Sequence, residues 1–348
     1  MINMQPFRMW NAFASPFRIH GLVEGERGRL PEKLIPSLRP ELHRLARMTS
    51  GGRIRFVTDA PQLRIEAILA DTSFKTNMTP LLHSGFDLYE GEGTRMQRID
   101  VVRPIAQGDV PFEPLDGFAI ERAVGKTINL PVGKRLYTLY LPIFCALEKL
   151  EIGLTEGFEV ERAPDYKVAL PIIFYGSSIT QGACASRPAL TYPARVCRML
   201  DADFINLGFA GQAKGDCEIA EYLSALPMKA FVMDYDHNAP DAKWLRETHW
   251  RFYERVLEGA PQTPTLFMSR IPASSIVDDE HDRAACQQVV EESYRRSIRE
   301  RDIRASFLSG TTVFDECFED NLLDLVHPND CGFKKIAACV LSKLEELI

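Results

Sequence analysis

The stretch that decides the fold is PIIFYGSSITQG, residues 171–182. Ile172 to Tyr175 form a short β-branched and aromatic run, which is typical of a strand covered on both faces. Gly176 then permits a tight turn, and Ser178 follows where the carboxyl end of a strand opens into a crevice. Two interpretations of Ser178 are open at this point: it is a nucleophile, or it is the N-cap of a helix that starts at the turn.

From residue 168 onward, apolar runs with strand character alternate with helical patterns. This alternation predicts parallel strands joined by right-handed crossovers, with helices on both faces of the sheet. The predicted strands are 171–175, 203–207, 230–235 and 265–268, and the predicted helices are 188–200, 216–226, 240–257, 280–301 and 331–347.

The part of the chain before about residue 165 consists of short β-rich segments separated by turn residues, a pattern that predicts a β-sandwich. The predicted strands are 53–57, 63–69, 116–122, 127–130, 136–141 and 149–154. Residues 30–48 are ambiguous, either a loop or a loop with a short helix. Residues 160–167, with their proline and aspartate, are predicted to be a linker. We therefore predict an all-β, jelly-roll-like sandwich over residues 1–165 and a three-layer α/β/α domain with a parallel sheet over residues 166–348.

The charge and composition of the chain limit its partners. It has 348 residues, a net charge of −7 and no long run of Lys or Arg, which argues against nucleic acid or an anionic membrane as main partner. No segment approaches the roughly 18 consecutive apolar residues of a membrane span, and residues 1–22 lack the apolar core of a signal peptide. We therefore expect a cytoplasmic protein. The oligomeric state is left open, with a homo-oligomer among the alternatives.

The cysteines and histidines show no pattern of metal ligands. The eight cysteines are scattered without CxxC spacing, so reduced thiols are expected. No group of His, Asp and Cys has ligand spacing, so we predict no metal and no cofactor. Cys184 lies close to Ser178 in the sequence and has two interpretations: a cysteine nucleophile or a buried thiol.

A nucleophilic serine needs a base, and the base needs an orienting partner. Among the seven histidines, His327 stands out because Asp324 precedes it by three residues. A carboxylate at that spacing can reach the imidazole nitrogen that faces away from the serine, where it fixes the tautomer and stabilises the imidazolium. Pro328 biases His327 toward extended backbone geometry. The alternative is a surface histidine in a polar loop, with Asp324 capping the local backbone.

Acyl transfer also needs donors for a developing oxyanion. The loop 208–212 follows a predicted strand, and its glycines let a backbone N–H approach a ligand; the alternative is an ordinary turn. Asn238 follows the next strand and offers a side-chain amide; the alternative is a helix N-cap before Pro240. The carboxyl ends of parallel strands lie at one edge of a sheet, so we expect the serine turn, the loop 208–212 and Asn238 to lie close together there. This expectation supports the nucleophile interpretation of Ser178.

These motifs resemble the blocks of the SGNH (GDSL-type) hydrolases. GSSIT, residues 176–180, is similar to their first block, and NLGFAG, residues 206–211, is similar to their second. Asn238 stands where the third block has its asparagine, and DLVH, residues 324–327, resembles the DxxH block. GFDLY, residues 85–89, resembles the GxDLY-type domain that precedes some of these hydrolases.

The resemblance implies a serine esterase that works through an acyl-serine intermediate. It implies that Ser178 attacks, that His327 is general base and then general acid, and that Asp324 orients His327. The oxyanion donors would be the N–H groups of Ser178 and Gly211 and the amide of Asn238. The implied substrates are small acyl esters, above all acetyl esters of carbohydrates. The alternatives are an acyltransferase that uses the same residues and a non-catalytic carbohydrate-binding protein.

Some positions depart from the family pattern or have a second interpretation. Ser177 stands where the family has Asp, Asp236 replaces a glycine two residues before the third-block asparagine, and Ala239 replaces a frequent Asp. Asp87 and Tyr89 of the GxDLY stretch are predicted to border the mouth of the site or to bind sugar. The alternative for these two is a turn beside a strand.

Overall fold

The computed structural model describes residues 6–74, 77–104, 118–301, 304–315 and 317–348 of the chain. The strands are β1 (Phe7–Asn11), β2 (Arg18–His20), β3 (Arg53–Thr58), β4 (Gln62–Leu69), β5 (Ser73–Phe74), β6 (Phe86–Glu90), β7 (Gln97–Val102), β8 (Phe118–Ala119), β9 (Ala123–Asn129), β10 (Arg135–Tyr140), β11 (Leu147–Thr155), β12 (Glu161–Arg162), β13 (Val168–Gly176), β14 (Ala202–Gly208), β15 (Ala230–Asp234), β16 (Thr265–Met268) and β17 (Ala305–Leu308). The helices are α1 (Pro40–Arg47), α2 (Pro80–Ser84), α3 (Ser178–Gln181), α4 (Tyr192–Leu200), α5 (Cys217–Ser224), α6 (Ala242–Val256), α7 (Glu280–Arg301) and α8 (Asp330–Leu347).

In the described part of the N-terminal half, two large antiparallel sheets form the sandwich, and β5 pairs with β8 in a separate two-stranded sheet. One large sheet has the order β1-β11-β4-β9, and the other has the order β12-β3-β10-β6-β7 with β2 paired to β3. Along β4, every second side chain is buried, from Leu63 to Leu69, because alternate residues of a strand point to the same face. The predicted all-β sandwich is confirmed. Its predicted strand 116–122 lies partly outside the described residues, which resume at β8. The strands β1, β2, β5, β6, β7 and β12 were not predicted, and β12 lies within the stretch 160–167 that was predicted to be a linker.

The C-terminal half is organised around a parallel sheet of order β14-β13-β15-β16-β17. Alternate residues of β13 face opposite layers. Ile172 and Phe174 pack in a cluster that includes side chains of α4 and α8, whereas Ile173 and Tyr175 pack with side chains of α5, α6 and α7. The predicted three-layer α/β/α architecture is therefore confirmed. β17 was not predicted, and within the described ranges no helix has the length and apolar character needed to cross a bilayer.

The carboxyl ends of three neighbouring strands lie at one level. Gly176 of β13 is paired with Gly208 of β14 on one side and with Asp234 of β15 on the other. A Cβ atom on Gly208 would overlap the backbone of Gln181 in α3, so the absence of a side chain lets β14 approach the turn that follows β13. The loops that leave these strands therefore start side by side.

The segment between β2 and β3 leaves the sandwich and covers the parallel sheet. It contains a 3-10 turn, Ile35–Ser37, and α1, so the ambiguous stretch 30–48 is a loop with a short helix. Leu42 of α1 is buried in the same cluster as Tyr175 of β13. Arg29, also buried, donates to the backbone oxygens of Asn206 at 3.0 Å and of Gly208 at 2.6 Å. A cation from the N-terminal half thus binds the carbonyl groups at the end of β14.

Candidate active site

The turn that carries the predicted nucleophile contains two serines in different positions. β13 leads directly into α3, and Ser177 is the N-cap of that helix, with its Oγ accepting from the N–H of Ile179 at 3.2 Å. Ser177, and not Ser178, is therefore the N-cap of this helix. Ser178 is the first residue of the helix, so its N–H has no acceptor within the helix. Its Oγ lies 3.0 Å from Nε2 of His327.

A buried carboxyl group at the end of β15 holds this turn in place. The backbone oxygen of Asp234 accepts from the N–H of Ser177 at 3.1 Å. Its Oδ2 accepts from the hydroxyl of Thr180 at 2.8 Å and from that of Tyr192 at 3.1 Å. Burial and the neighbouring Asp236 raise the pKa of Asp234 to about 7. No local pattern in the sequence indicates the contacts of Asp234, because only the fold shows that β15 ends beside α3.

His327 and Asp324, the predicted base and acid, lie on one tight hairpin. Leu322 and Pro328 form an antiparallel bridge that closes this loop. Asp324 Oδ1 accepts from the backbone N–H groups of Val326 at 2.8 Å and His327 at 2.7 Å, which aims the carboxylate at the ring. Asp324 Oδ2 then lies 2.9 Å from Nδ1 of His327. Asp324 both caps its loop and meets the imidazole, so the two interpretations of its position are compatible.

The electrostatics of Asp324 suit an orienting acid. Burial alone would raise the pKa of the Asp324 carboxyl. Hydrogen bonds from the His327 N–H, the Asn77 amide and the Val326 N–H outweigh burial and hold this pKa well below its usual range. The Asp324 carboxylate is therefore ionised at neutral pH, which suits it to the predicted role of stabilising a positive charge on the imidazole.

Two side chains beside the acid come from elsewhere in the chain. Asn77, from the N-terminal half, donates from Nδ2 to Asp324 Oδ2 at 2.9 Å. Cys184 is 4% exposed, and its thiol donates to the backbone oxygen of Asn77 at 3.2 Å, which agrees with the buried-thiol interpretation. Cys184, Asp324 and His327 offer ligand-type atoms within 4.8 Å of one another, a set that could hold a metal ion. Sequence spacing could not reveal this set, because Cys184 and Asp324 are 140 positions apart.

The predicted oxyanion donors lie on the loops after β13, β14 and β15. Gly211 has a φ of +71°, a left-handed conformation that favours glycine. Asn238 ends a 3-10 turn, and its Nδ2 donates to the backbone oxygen of Phe209 at 3.1 Å, which leaves the second amide N–H for another acceptor. The N-cap of α6 is Asp241, so Asn238 does not cap that helix. The oxyanion role of these groups stays a prediction.

Asp236, which stands where the family pattern has glycine, forms a hydrogen bond that links two loops. Asp236 is buried, and its Oδ2 accepts from the backbone N–H of Arg270 at 2.8 Å. Burial raises the pKa of Asp236 to about 6. The carboxyl group therefore connects the loop after β15 to the loop after β16, a contact that a glycine could not make.

Asp87 and Tyr89 lie beneath the loop that follows α3. Both are on β6, and their side chains are almost fully buried. Asp87 Oδ2 accepts from Nη1 of Arg187 at 2.8 Å and from the N–H of Ala189 at 3.1 Å. The Tyr89 hydroxyl accepts from the same guanidinium at 2.7 Å. The GxDLY stretch is thus a strand that anchors the loop between α3 and α4. A direct contact of Asp87 or Tyr89 with substrate stays a prediction.

A three-layer α/β fold with a hydrogen-bonded Ser-His-Asp line at the carboxyl edge of its sheet is the arrangement that serine hydrolases use. The model of the GDSL-like lipase/acylhydrolase family matches residues 169–345. A second model, GxDLY, described as the N-terminus of SGNH-hydrolase-type esterases, matches residues 10–160. The chain belongs to the GDSL-like lipase/acylhydrolase family, and the resemblance seen in its sequence is confirmed.

Solved structures share this two-part architecture over nearly the whole chain. A protein described as a GDSL-like lipase from Bacteroides ovatus is 24% identical, with a TM-score of 0.84 and coverage of 98% of both chains. The salicylyl-acyltransferase SsfX3 from a tetracycline biosynthetic pathway is 20% identical, with a TM-score of 0.79 and coverage of 98% of this chain and 97% of that one. A family two carbohydrate esterase from Cellvibrio japonicus is 12% identical, with a TM-score of 0.60 and coverage of 99% and 98%. No curated protein matches the chain.

Proposed function

We propose that this protein is a serine esterase that hydrolyses esters of small acyl groups, with acetyl esters of carbohydrates as the substrate class. The observation that carries the proposal is the continuous line of hydrogen bonds from Ser178 through His327 to Asp324, with distances of 3.0 Å and 2.9 Å. The order of atoms along this line, from hydroxyl oxygen to Nε2, Nδ1 and carboxylate, is the order that nucleophilic catalysis by serine uses, and it supports the proposal.

The reaction follows from this arrangement. Ser178 Oγ attacks the ester carbonyl carbon while Nε2 of His327 takes the hydroxyl proton. The oxyanion that forms is stabilised by the N–H groups of Ser178 and Gly211 and by the amide of Asn238. The intermediate collapses, and His327 gives its proton to the departing alcohol. Water, deprotonated by His327, then attacks the acyl-serine, which releases the carboxylic acid and restores the Ser178 hydroxyl.

The acetyl and carbohydrate parts of the proposal depend on the family resemblance. The family two carbohydrate esterase from Cellvibrio japonicus has the same two-part fold, which is compatible with a carbohydrate ester as substrate. A panel of acetylated mono- and oligosaccharides beside short aryl esters tests this choice. Acetate release from the aryl esters but from none of the sugars would contradict the carbohydrate part alone.

The test of the nucleophile is Ser178→Ala assayed on a short aryl ester, with Ser224→Ala as matched control. Ser224 is a hydroxyl on the surface of α5 that donates to the backbone oxygen of Glu221, away from the triad. We expect Ser178→Ala to lose at least about 1,000-fold in kcat, because the acyl-serine can no longer form. Ser224→Ala should match the wild type. Retained turnover in Ser178→Ala would refute the proposed mechanism.

Transfer of the acyl group to an acceptor other than water would use the same intermediate. The acyltransferase SsfX3 shares the fold, so the acceptor must be determined by experiment. Product analysis with added alcohols or sugars measures how the acyl group is divided between acceptor and water. Trapping of Ser178 by an organophosphonate, located by mass spectrometry, would contradict a non-catalytic carbohydrate-binding protein.

A further inference from the structure

The catalytic acid receives a hydrogen bond from the other half of the chain. Asn77 lies between β5 and α2, 247 positions before Asp324, and its Nδ2 donates to Asp324 Oδ2 at 2.9 Å. The same carboxylate oxygen lies 2.9 Å from Nδ1 of His327. Asn77 therefore acts on the oxygen that faces His327, and its contact joins the N-terminal half of the chain to the hairpin that carries Asp324.

The segment that carries Asn77 is itself anchored beside the nucleophile. The Cys184 thiol donates to the backbone oxygen of Asn77 at 3.2 Å. Two residues later, the Thr79 hydroxyl donates to the backbone oxygen of Ser186 at 2.8 Å and accepts from the N–H of Leu82 as the N-cap of α2. Cys184 and Ser186 belong to the loop that follows α3. The amide of Asn77 is thus held at a defined distance from the segment that carries Ser178.

The hairpin that carries Asp324 needs such support. Its tip exposes Leu323 to 54% and Leu325 to 46%, so packing restrains it only in part. The N–H groups of Val326 and His327 bind Asp324 Oδ1, but they belong to the same loop and move with it. The amide of Asn77 comes from another element and binds the other carboxylate oxygen.

We propose that Asn77 is a positioning residue through which the N-terminal sandwich orients Asp324 and, through it, His327. On this proposal, which rests on the proposed esterase mechanism, the catalytic site is incomplete without the N-terminal half of the chain.

The first test compares Asn77→Ala with Asn129→Ala in the full-length protein. Asn129 is a matched control because it is an exposed asparagine of the same sandwich that also makes a side-chain hydrogen bond, accepting from Gln62 Nε2 at 2.8 Å. Loss of orientation at the acid should lower kcat of Asn77→Ala about 10- to 100-fold with little change in KM, because a small misplacement of a catalytic group has that effect. Asn129→Ala should match the wild type. An unchanged kcat in Asn77→Ala would overturn the proposal.

The second test uses Asn77→Asp, which keeps the shape of the side chain and adds a negative charge beside Asp324. An added carboxylate favours the protonated imidazole of His327. The acid limb of the kcat/KM profile should therefore move to higher pH, which reports that the side chain of residue 77 faces the Asp324–His327 pair. The same acid limb in Asn77→Asp and the wild type would contradict the proposal, provided that thermal unfolding shows both proteins to be folded.

The third test does not depend on turnover. A His327 Nδ1–H hydrogen-bonded to a carboxylate gives a far-downfield proton resonance, which we expect in the wild type, in Ser178→Ala and in Asn129→Ala. In Asn77→Ala the resonance should shift or disappear through exchange with water. If Ser178→Ala stays active but the resonance changes in Asn77→Ala, only the proposed mechanism fails. If Ser178→Ala is inactive and the resonance does not respond to Asn77→Ala, only the positioning proposal fails.

Discussion

Asn238 connects two loops of the site through one side chain. One of its amide hydrogens is bound by the backbone oxygen of Phe209 at 3.1 Å, which fixes the plane of the amide. The other hydrogen is then held in a set direction before any substrate binds. A donor fixed in advance stabilises the transition state more than a mobile one, because no reorganisation is needed when the charge develops.

The replacement Asn238→Ala should therefore lower kcat by about 100- to 1,000-fold, the usual effect of removing one oxyanion donor. KM should change much less, because the negative charge on the substrate oxygen develops only in the transition state. Steady-state kinetics on a short aryl ester measures both constants. An unchanged kcat would remove Asn238 from the oxyanion hole.

A carboxyl group at the end of β15 binds side chains of both α3 and α4. Thr180 of α3 and Tyr192 of α4 both donate to the carboxyl group of Asp234, which is almost fully buried. Since burial and Asp236 raise its pKa from 3.8 to about 7, Asp234 binds a proton in the folded protein at pH values where it is ionised in the unfolded chain. The stability that this group contributes is therefore fully present below about pH 4 and is lost as the pH rises from 4 to 7.

The variant Asp234→Asn should reduce this pH dependence. Its amide oxygen can still accept from Thr180 and Tyr192, but it cannot ionise. Relative to the wild type, the variant should gain about 3 kcal/mol in free energy of unfolding between pH 5 and pH 8, at about 1.4 kcal/mol per pH unit while the folded protein is protonated. Urea denaturation at the two pH values measures the difference. Parallel curves for both proteins would show that Asp234 does not titrate in this range.

The two halves of the molecule share part of their hydrophobic core. Leu82 and Tyr140 of the N-terminal half are buried in one cluster with Phe174 and Tyr192 of the catalytic half. Arg29 adds hydrogen bonds to the carbonyl groups at the end of β14. Separating the halves would expose this apolar surface and leave buried polar groups without partners, which is unfavourable on both counts.

We therefore expect the protein to unfold in one cooperative transition. Scanning calorimetry should give a calorimetric enthalpy equal to the van't Hoff enthalpy. Truncation of Arg29 to alanine should lower the midpoint of this transition without splitting it. Two separate transitions in the wild type would contradict the expectation and would show that the sandwich and the catalytic half fold independently.

Local patterns predicted much of the molecule. The apolar run before Ser178 and the alternation of strands and helices were sufficient to predict the parallel sheet. Strand burial and helix periodicity are both visible within a few residues of sequence. β6 was missed because its sequence reads equally well as a turn, and its central place in the sheet comes from pairing with β10 and β7. No local sequence pattern marks Asn77 or Asp234, because both form their hydrogen bonds with residues far away in the chain.

The sequence by itself determined the serine turn and the Asp324–His327 pair, since each is built from residues only a few positions apart. Only the tertiary structure decided that Ser177 is the helix cap and that Ser178 faces His327, 149 positions away. It alone placed the Asn77 amide against the Asp324 carboxylate across 247 positions. The physical reason is that such contacts arise from the packing of whole elements, the sandwich against the parallel sheet, and not from any property of the residues next to them.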